Sequence, residues 1–151
     1  MNGGRFMKLN TKHFGEIEVS EENIIFFSEG IPAFEHLKRY TMIQNPNPEL
    51  PFNWLQSVDE SDLAFVIVNP FLFKDDYEFE IPQEKINDLS IESIEDVFIC
   101  CIVTVPENIA DTTMNLRGPV VINNKNKKAS QIMLDNDEYE IRYKVFKKIK
   151  P

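Results

Sequence analysis

The chain has 151 residues, with 25 Asp or Glu against 16 Lys or Arg and a formal net charge of −9. A chain of this length hides ~70% of the surface that it exposes when unfolded, enough for one domain with its own core and no staples. The acidic balance argues against sequence-independent nucleic-acid binding, which needs Lys and Arg to displace counterions from phosphates, and it disfavours anionic membrane surfaces for the same reason. An apolar fraction of 42% with 12 Phe is too hydrophobic for a disordered acidic chain.

The predicted elements begin with residues 14–19, where Gly15, Ile17 and Val19 alternate with Glu16 and Glu18 in the period of a strand with one wet face. Residues 23–27, 40–43, 52–58 and 63–68 are short runs of the same type, separated after residue 43 by a loop with Pro46, Pro48 and Pro51. Residues 82–89 form the one segment with helical spacing, with proline in its first turn and Ile86 and Leu89 three apart. Residues 97–105 are apolar on both faces, as expected of a central strand, and Pro106 ends them. Two strands, 120–122 and 129–134, flank Asn123-Asn124-Lys125-Asn126-Lys127, whose asparagines suit left-handed turn angles. After a turn at Asp135-Asn136-Asp137, a last strand is expected over 139–146. So many short strands with one short helix predict a mainly-β chain: a single compact domain, an antiparallel β-barrel or closed sandwich.

No run of about 18 apolar residues occurs, and no apolar stretch followed by a small-residue cleavage site opens the chain, so the sequence reads as cytoplasmic. Met7 follows Met1-Asn2-Gly3-Gly4-Arg5-Phe6, so residues 1–6 read as a remnant or an N-terminal extension, and the domain is expected over 7–151. Cys100 and Cys101 are the only cysteines; being adjacent they make a poor disulfide, which fits a reducing compartment.

The charge is unevenly spread. Residues 1–40 carry 5 basic and 6 acidic groups, residues 41–99 carry 2 and 13, and residues 100–151 carry 9 and 6. Within the middle third, Asp76, Glu78 and Glu80 alternate with Tyr77, Phe79 and Ile81, so a strand there would aim three carboxylates off one face at spacings of ~7 Å, with Asp75 beside them. Such a stripe is either a docking surface for a basic partner or a face turned to solvent or ion-paired with Arg142 and Lys144. A Ca²⁺ loop is disfavoured by the missing loop length and central glycine.

Catalytic signatures are absent: no G-x-S-x-G, no glycine-rich phosphate loop, no H-E-x-x-H. His13 and His36 have no companions at metal-ligand spacing, and the cysteines lie in the most apolar segment, where a thiol is inert. No cofactor, metal or catalytic residue is expected, and the chain reads as a protein-binding module rather than an enzyme. A carboxylate-dependent hydrolase would need a deep pocket lined by two acids.

Three groups of segments carry a family resemblance. They are Ile25-Phe26-Phe27-Ser28-Glu29-Gly30-Ile31-Pro32-Ala33-Phe34; Phe52-Asn53-Trp54-Leu55-Gln56-Ser57 with Phe65-Val66-Ile67-Val68-Asn69-Pro70; and Ile102-Val103-Thr104-Val105-Pro106 with Thr113-Met114-Asn115-Leu116-Arg117-Gly118-Pro119-Val120-Val121-Ile122-Asn123. In this order and spacing they resemble the FliW family of flagellar assembly factors. Two positions depart from the family pattern: Ala33 stands where a second glycine is usual, and Arg117-Gly118 where Lys-Ala is common.

The resemblance implies a non-enzymatic cytoplasmic protein, monomeric when free, with two partners: flagellin before export, and the RNA-binding repressor CsrA, which blocks translation of flagellin mRNA. Flagellin occupies the protein while plentiful; once export empties the pool, the free protein binds CsrA and relieves repression. The acidity suits a basic repressor, so Asp75, Asp76, Glu78 and Glu80, with Asp59, Glu60 and Asp62, are the candidate repressor contacts. Ile31 and Phe34, on the turn after Gly30, are the candidate flagellin contacts, offered as an apolar surface; the structural alternative is that Gly30 and Pro32 form a turn leading Phe34 back into the core. The alternative is a generic acidic β-domain that chaperones another basic or aggregation-prone protein, and a further reading is an RNA mimic competing for the repressor's groove.

Overall fold

The computed structural model describes residues 5–135 and 137–146. Residues 1–4 of the expected extension, Asn136 of the expected turn and residues 147–151 lie outside the described residues. Strands β1 (Phe6–Asn10) and β2 (Glu16–Ser20) form an antiparallel hairpin with Phe6 opposite Ser20, so β1 includes the last residue of the expected extension. Gly15 turns the hairpin at φ +65°, and Thr11 Oγ1 donates to its carbonyl at 2.7 Å. Leu9 and Val19 are buried on the inner face while Glu16 and Glu18 stay wet, as the alternation predicts.

The barrel is built from β3 (Ile24–Phe27), β4 (Arg39–Ile43), β5 (Phe52–Ser57) and β6 (Ala64–Val68), an antiparallel meander. A 3₁₀ turn at Pro70–Leu72, an irregular stretch and the short helix α1 (Gln83–Asp88) lead to β7 (Val97–Thr104). β8 (Thr113–Met114), β9 (Val120–Asn123), β10 (Lys128–Gln131) and β11 (Tyr143–Lys144) complete the set. β7 is long enough to serve two neighbours along one edge: its first half pairs with β9, and Val103 and Thr104 pair with β8. β10 then lies between β9 and β3 and closes a seven-stranded barrel. The β3–β10 seam is parallel, while the other strand pairings among the described residues are antiparallel, in keeping with the antiparallel barrel-like fold expected from the sequence.

The two-faced apolar character of β7 follows from its position. Phe98, Cys100 and Ile102 face the barrel core with Phe27, Tyr40 and Leu55, whereas Cys101 and Val103 face a second cluster under β8 and β11. Val97 and Ile99 meet a third cluster around Leu89 and Val121. Burial pushes the Cys101 thiol up to about 12, and the Cys100 thiol is also raised, so neither forms a thiolate near neutrality.

Three local expectations are corrected. The expected strand over 139–146 shrinks to Tyr143–Lys144, because its partner β8 has only two residues and the Tyr139 carbonyl is taken by Arg117 Nε at 2.9 Å. In the β9–β10 loop the left-handed residue is Lys127 (φ +62°), not an asparagine. Asn123 and Asn126 instead accept from the backbone N–H of Lys125 and Lys128. Finally, residues 76–81 are not a strand of any sheet. They cross the outside of the barrel with Tyr77, Phe79 and Ile81 turned inward and Glu78 and Glu80 outward, so the alternation is real while the ladder is missing.

Candidate functional site

The acidic segment is held by tyrosines. Tyr77 Oη donates to the Leu116 carbonyl at 2.6 Å, and Tyr139 Oη donates to the Glu78 carbonyl at 2.8 Å and accepts from the Glu78 N–H at 3.1 Å. The two rings meet edge-on with centroids 4.8 Å apart. Both polar groups of the Glu78 backbone are thereby satisfied by one side chain, which fixes the height of the segment over the barrel and leaves the Glu78 and Glu80 carboxylates exposed. Just before it, Asp75 and Asp76 sit in a turn where Lys74 Nζ lies 2.9 Å from Asp76.

Between this segment, α1 and the chain leading into β7 lies a groove of about 650 Å³. Its apolar wall includes Phe79, Ile81, Ile86, Ile91 and Ile99, and Glu78, Glu80 and Glu92 stand at its rim. Phe71 and Ile94 are its exposed lips, with 40% and 75% of their surface open. Sequence reasoning found the rim glutamates at 78 and 80 but not Glu92, Phe71, Ile91 or Ile94; the one available signal was the apolar run Phe71-Leu72-Phe73 placed in a turn right after Pro70.

The other candidate acids are elsewhere. Asp59, Glu60 and Asp62 occupy the turn that enters β6, whereas residues 75–80 come after its exit, where Tyr77 shares a core cluster with Val68, the last residue of β6. Asp59 is engaged with the Arg39 guanidinium, which holds its carboxyl below the usual carboxylate range. The seven acids thus form two groups at opposite ends of β6.

Ile31 and Phe34 do not project from the surface. Ile31 is 2% exposed within the barrel core, and Phe34 is half-buried with its ring 5.3 Å from Phe65 in a T-shaped contact. The reason is the turn itself: Gly30 at φ +69° reverses the chain, and the Phe34 N–H donates to the Ile31 carbonyl at 2.7 Å, so both side chains plug the core. What this loop presents to solvent is Pro32, Ala33, Glu35 and His36.

Among the described residues, no group of three or more His, Cys, Asp or Glu is disposed to hold a metal ion, and no helix is long and apolar enough to cross a membrane. The site offers a carboxylate-rimmed apolar surface, suited to binding a protein chain.

The family model described as FliW protein matches residues 8–145. This chain belongs to the FliW family. It is 52% identical over 143 residues to the flagellar assembly factor FliW of Alkaliphilus metalliredigens (strain QYMF), covering 95% of this chain and 88% of the relative. It is 50% identical over 141 residues to that of Caldicellulosiruptor saccharolyticus, covering 93% and 91%. A crystal structure of the flagellar assembly factor FliW superposes with a TM-score of 0.88 at 35% identity, covering 94% of this chain and 99% of the other. The resemblance read from the sequence is therefore one of family and of fold.

The two positions where the sequence resemblance was expected to depart, Ala33 and Gly118, have structural readings. Ala33 sits at φ +76°, a left-handed angle that glycine adopts without penalty and alanine does not. Ala33→Gly is expected to stabilise the protein by about 0.5–1 kcal/mol, the relief of that strain less the entropy glycine adds to the unfolded chain. A urea midpoint that falls in this variant would contradict the reading. At Gly118, a Cβ would come within 2.8–2.9 Å of the amide ends of Gln131 and Asn115, flexible groups that an alanine would have to displace.

Proposed function

We propose that this protein is a non-enzymatic flagellar assembly factor that holds flagellin in the cytoplasm and, when free of it, binds and antagonises a CsrA-type RNA-binding repressor of flagellin translation. Supporting the first half are relatives named as flagellar assembly factors along nearly the whole chain. The observation that carries the second is the acidic surface: 13 acidic against 2 basic groups between residues 41 and 99, with Glu78 and Glu80 turned outward on a segment pinned by two tyrosines. A repressor that grips RNA carries basic surface, is steered toward such a face, and once docked brings negative charge beside its RNA site. One protein with two exclusive partners couples their concentrations thermodynamically.

The direct test is calorimetric titration with flagellin and with the repressor, each repeated in the presence of the other. Mutual exclusion is the expected result, and independent binding would overturn the switch. The double reversal Glu78→Lys, Glu80→Lys is expected to weaken repressor binding about tenfold at low ionic strength and to flatten its salt dependence, since the contribution is that of partly screened surface charges. Unchanged low-salt affinity would remove these two residues from the interface.

A further inference from the structure

The same segment carries a feature that charge alone does not explain. The backbone groups of Phe79, Glu80 and Ile81 make no backbone–backbone hydrogen bond among the described residues, although these residues alternate in and out like a strand. On one side of this window, the Glu78 backbone is fully engaged by Tyr139 Oη; on the other, Pro82 has no N–H and its carbonyl accepts from Lys85 and Ile86. Three consecutive residues thus present unpaired donors and acceptors along the lip of an apolar groove, the arrangement to which an extended peptide adds as a strand.

We propose that this groove captures an extended protein segment in which apolar residues alternate with Lys or Arg, added as a strand along Phe79, Glu80 and Ile81. It deepens the protein-docking reading above and rests on it only in taking the partner to be a basic protein chain.

The alternation follows from geometry. In a paired strand, residues opposite one another share a face. Those opposite Phe79 and Ile81 would enter the groove against Ile91 and Ile99; those opposite Glu78 and Glu80 would stand beside carboxylates. Among the described residues, three glutamates and no Lys or Arg line the groove, so an acidic or purely apolar segment would face uncompensated charge. A purely polar basic segment would leave Phe71 and Ile94 in water. A second copy of this chain is disfavoured because pairing the window with itself brings glutamates together across the seam.

The test uses the full chain and short synthetic peptides with blocked ends. A peptide alternating Leu and Lys is expected to bind at low salt. Four changes should each weaken that binding at least about tenfold: Leu/Glu in place of Leu/Lys, Ser/Lys in place of Leu/Lys, N-methylation of alternate peptide bonds, and Ile94→Asp in the protein, a variant at an exposed position that should leave folding intact. N-methylation keeps every side chain and removes the ladder donors, so equal binding of the methylated peptide would overturn strand addition. Equal binding of Ser/Lys, or unchanged affinity with Ile94→Asp, would overturn the groove as the site, and a dimer of the protein alone that Ile94→Asp dissolves would assign it to a second copy. Flagellin and repressor titrations distinguish the two readings: failure of peptide capture with both proteins still bound overturns this inference alone, and peptide capture without either protein binding overturns the proposed function alone.

Discussion

Replacing Gly30 by alanine is expected to cost more than about 3 kcal/mol of stability, read as a fall in the urea midpoint. The left-handed angle at this position, φ +69°, disfavours an L-residue by about 1–2 kcal/mol. A Cβ would also lie 2.5 Å from Glu35 Cα and 2.6 Å from the Glu35 carbonyl oxygen, backbone atoms that cannot rotate aside. Relief requires the turn to open, yet the Gly30 N–H donates to Phe27 at 2.9 Å and the next residue, Ile31, is in the barrel core. Withdrawing Ile31 forfeits about 2 kcal/mol of buried apolar surface. A loss below about 1 kcal/mol would show that the turn yields freely and that the Ile31 plug is dispensable.

Truncation of Tyr77 is the second large effect. Tyr77→Ala is expected to cost about 3–5 kcal/mol, the range for deleting a buried aromatic ring. The side chain is 3% exposed and its ring touches those of Phe71, Phe79 and Tyr139, so the cavity would open beneath the acidic segment itself. Tyr77→Phe should cost only about 1–2 kcal/mol, leaving the Leu116 carbonyl without its donor while keeping the packing. Measured by denaturant unfolding, near-equal losses in the two variants would place the stabilisation in the hydroxyl rather than the ring. At concentrations where Tyr77→Ala remains folded, its affinity for the Leu/Lys peptide should fall as well, because the segment bearing Glu78 and Glu80 loses its anchor.

Much of this architecture was legible in the residues. The alternation of Ile17 and Val19 with Glu16 and Glu18, the two-faced apolar run Val97–Thr104 and the proline-led helix all correspond to observed elements. Periodicity reports which side chains turn inward, and it says nothing of whether the backbone beside them is paired. Residues 76–81 show the difference: their in-and-out pattern is correct, and they belong to no sheet. Tyr139 alternates equally well with its neighbours and is withheld from a strand by a hydroxyl and a carbonyl that serve other partners. β8, at two residues, is too short to leave a pattern, and β1 is not among the predicted elements, with only its first residue, Phe6, among the opening residues set aside. For Ile31 and Phe34 the residues allowed two readings, a turn at Gly30 and Pro32 that leads Phe34 back into the core and an apolar surface offered to a partner, and the burial of Ile31 and the packing of Phe34 favour the first. The β3–β10 pairing joins residues about 100 positions apart, a separation that no local signal encodes.

That seam also sets the order of events during synthesis. β3 leaves the ribosome well before its second neighbour, β10, so the barrel stays an open meander until β10 has emerged. Closing a wholly flexible loop of about 100 residues would cost about 4 kcal/mol in entropy; the meander pairings that form first shorten the effective loop, and the seam still depends on non-local pairing of the kind that slows folding. A nascent chain stopped before Lys128 presents the bare edge Ile24–Phe27 instead of a finished barrel. Partner binding that depends on the closed barrel therefore appears only after β10 has been made.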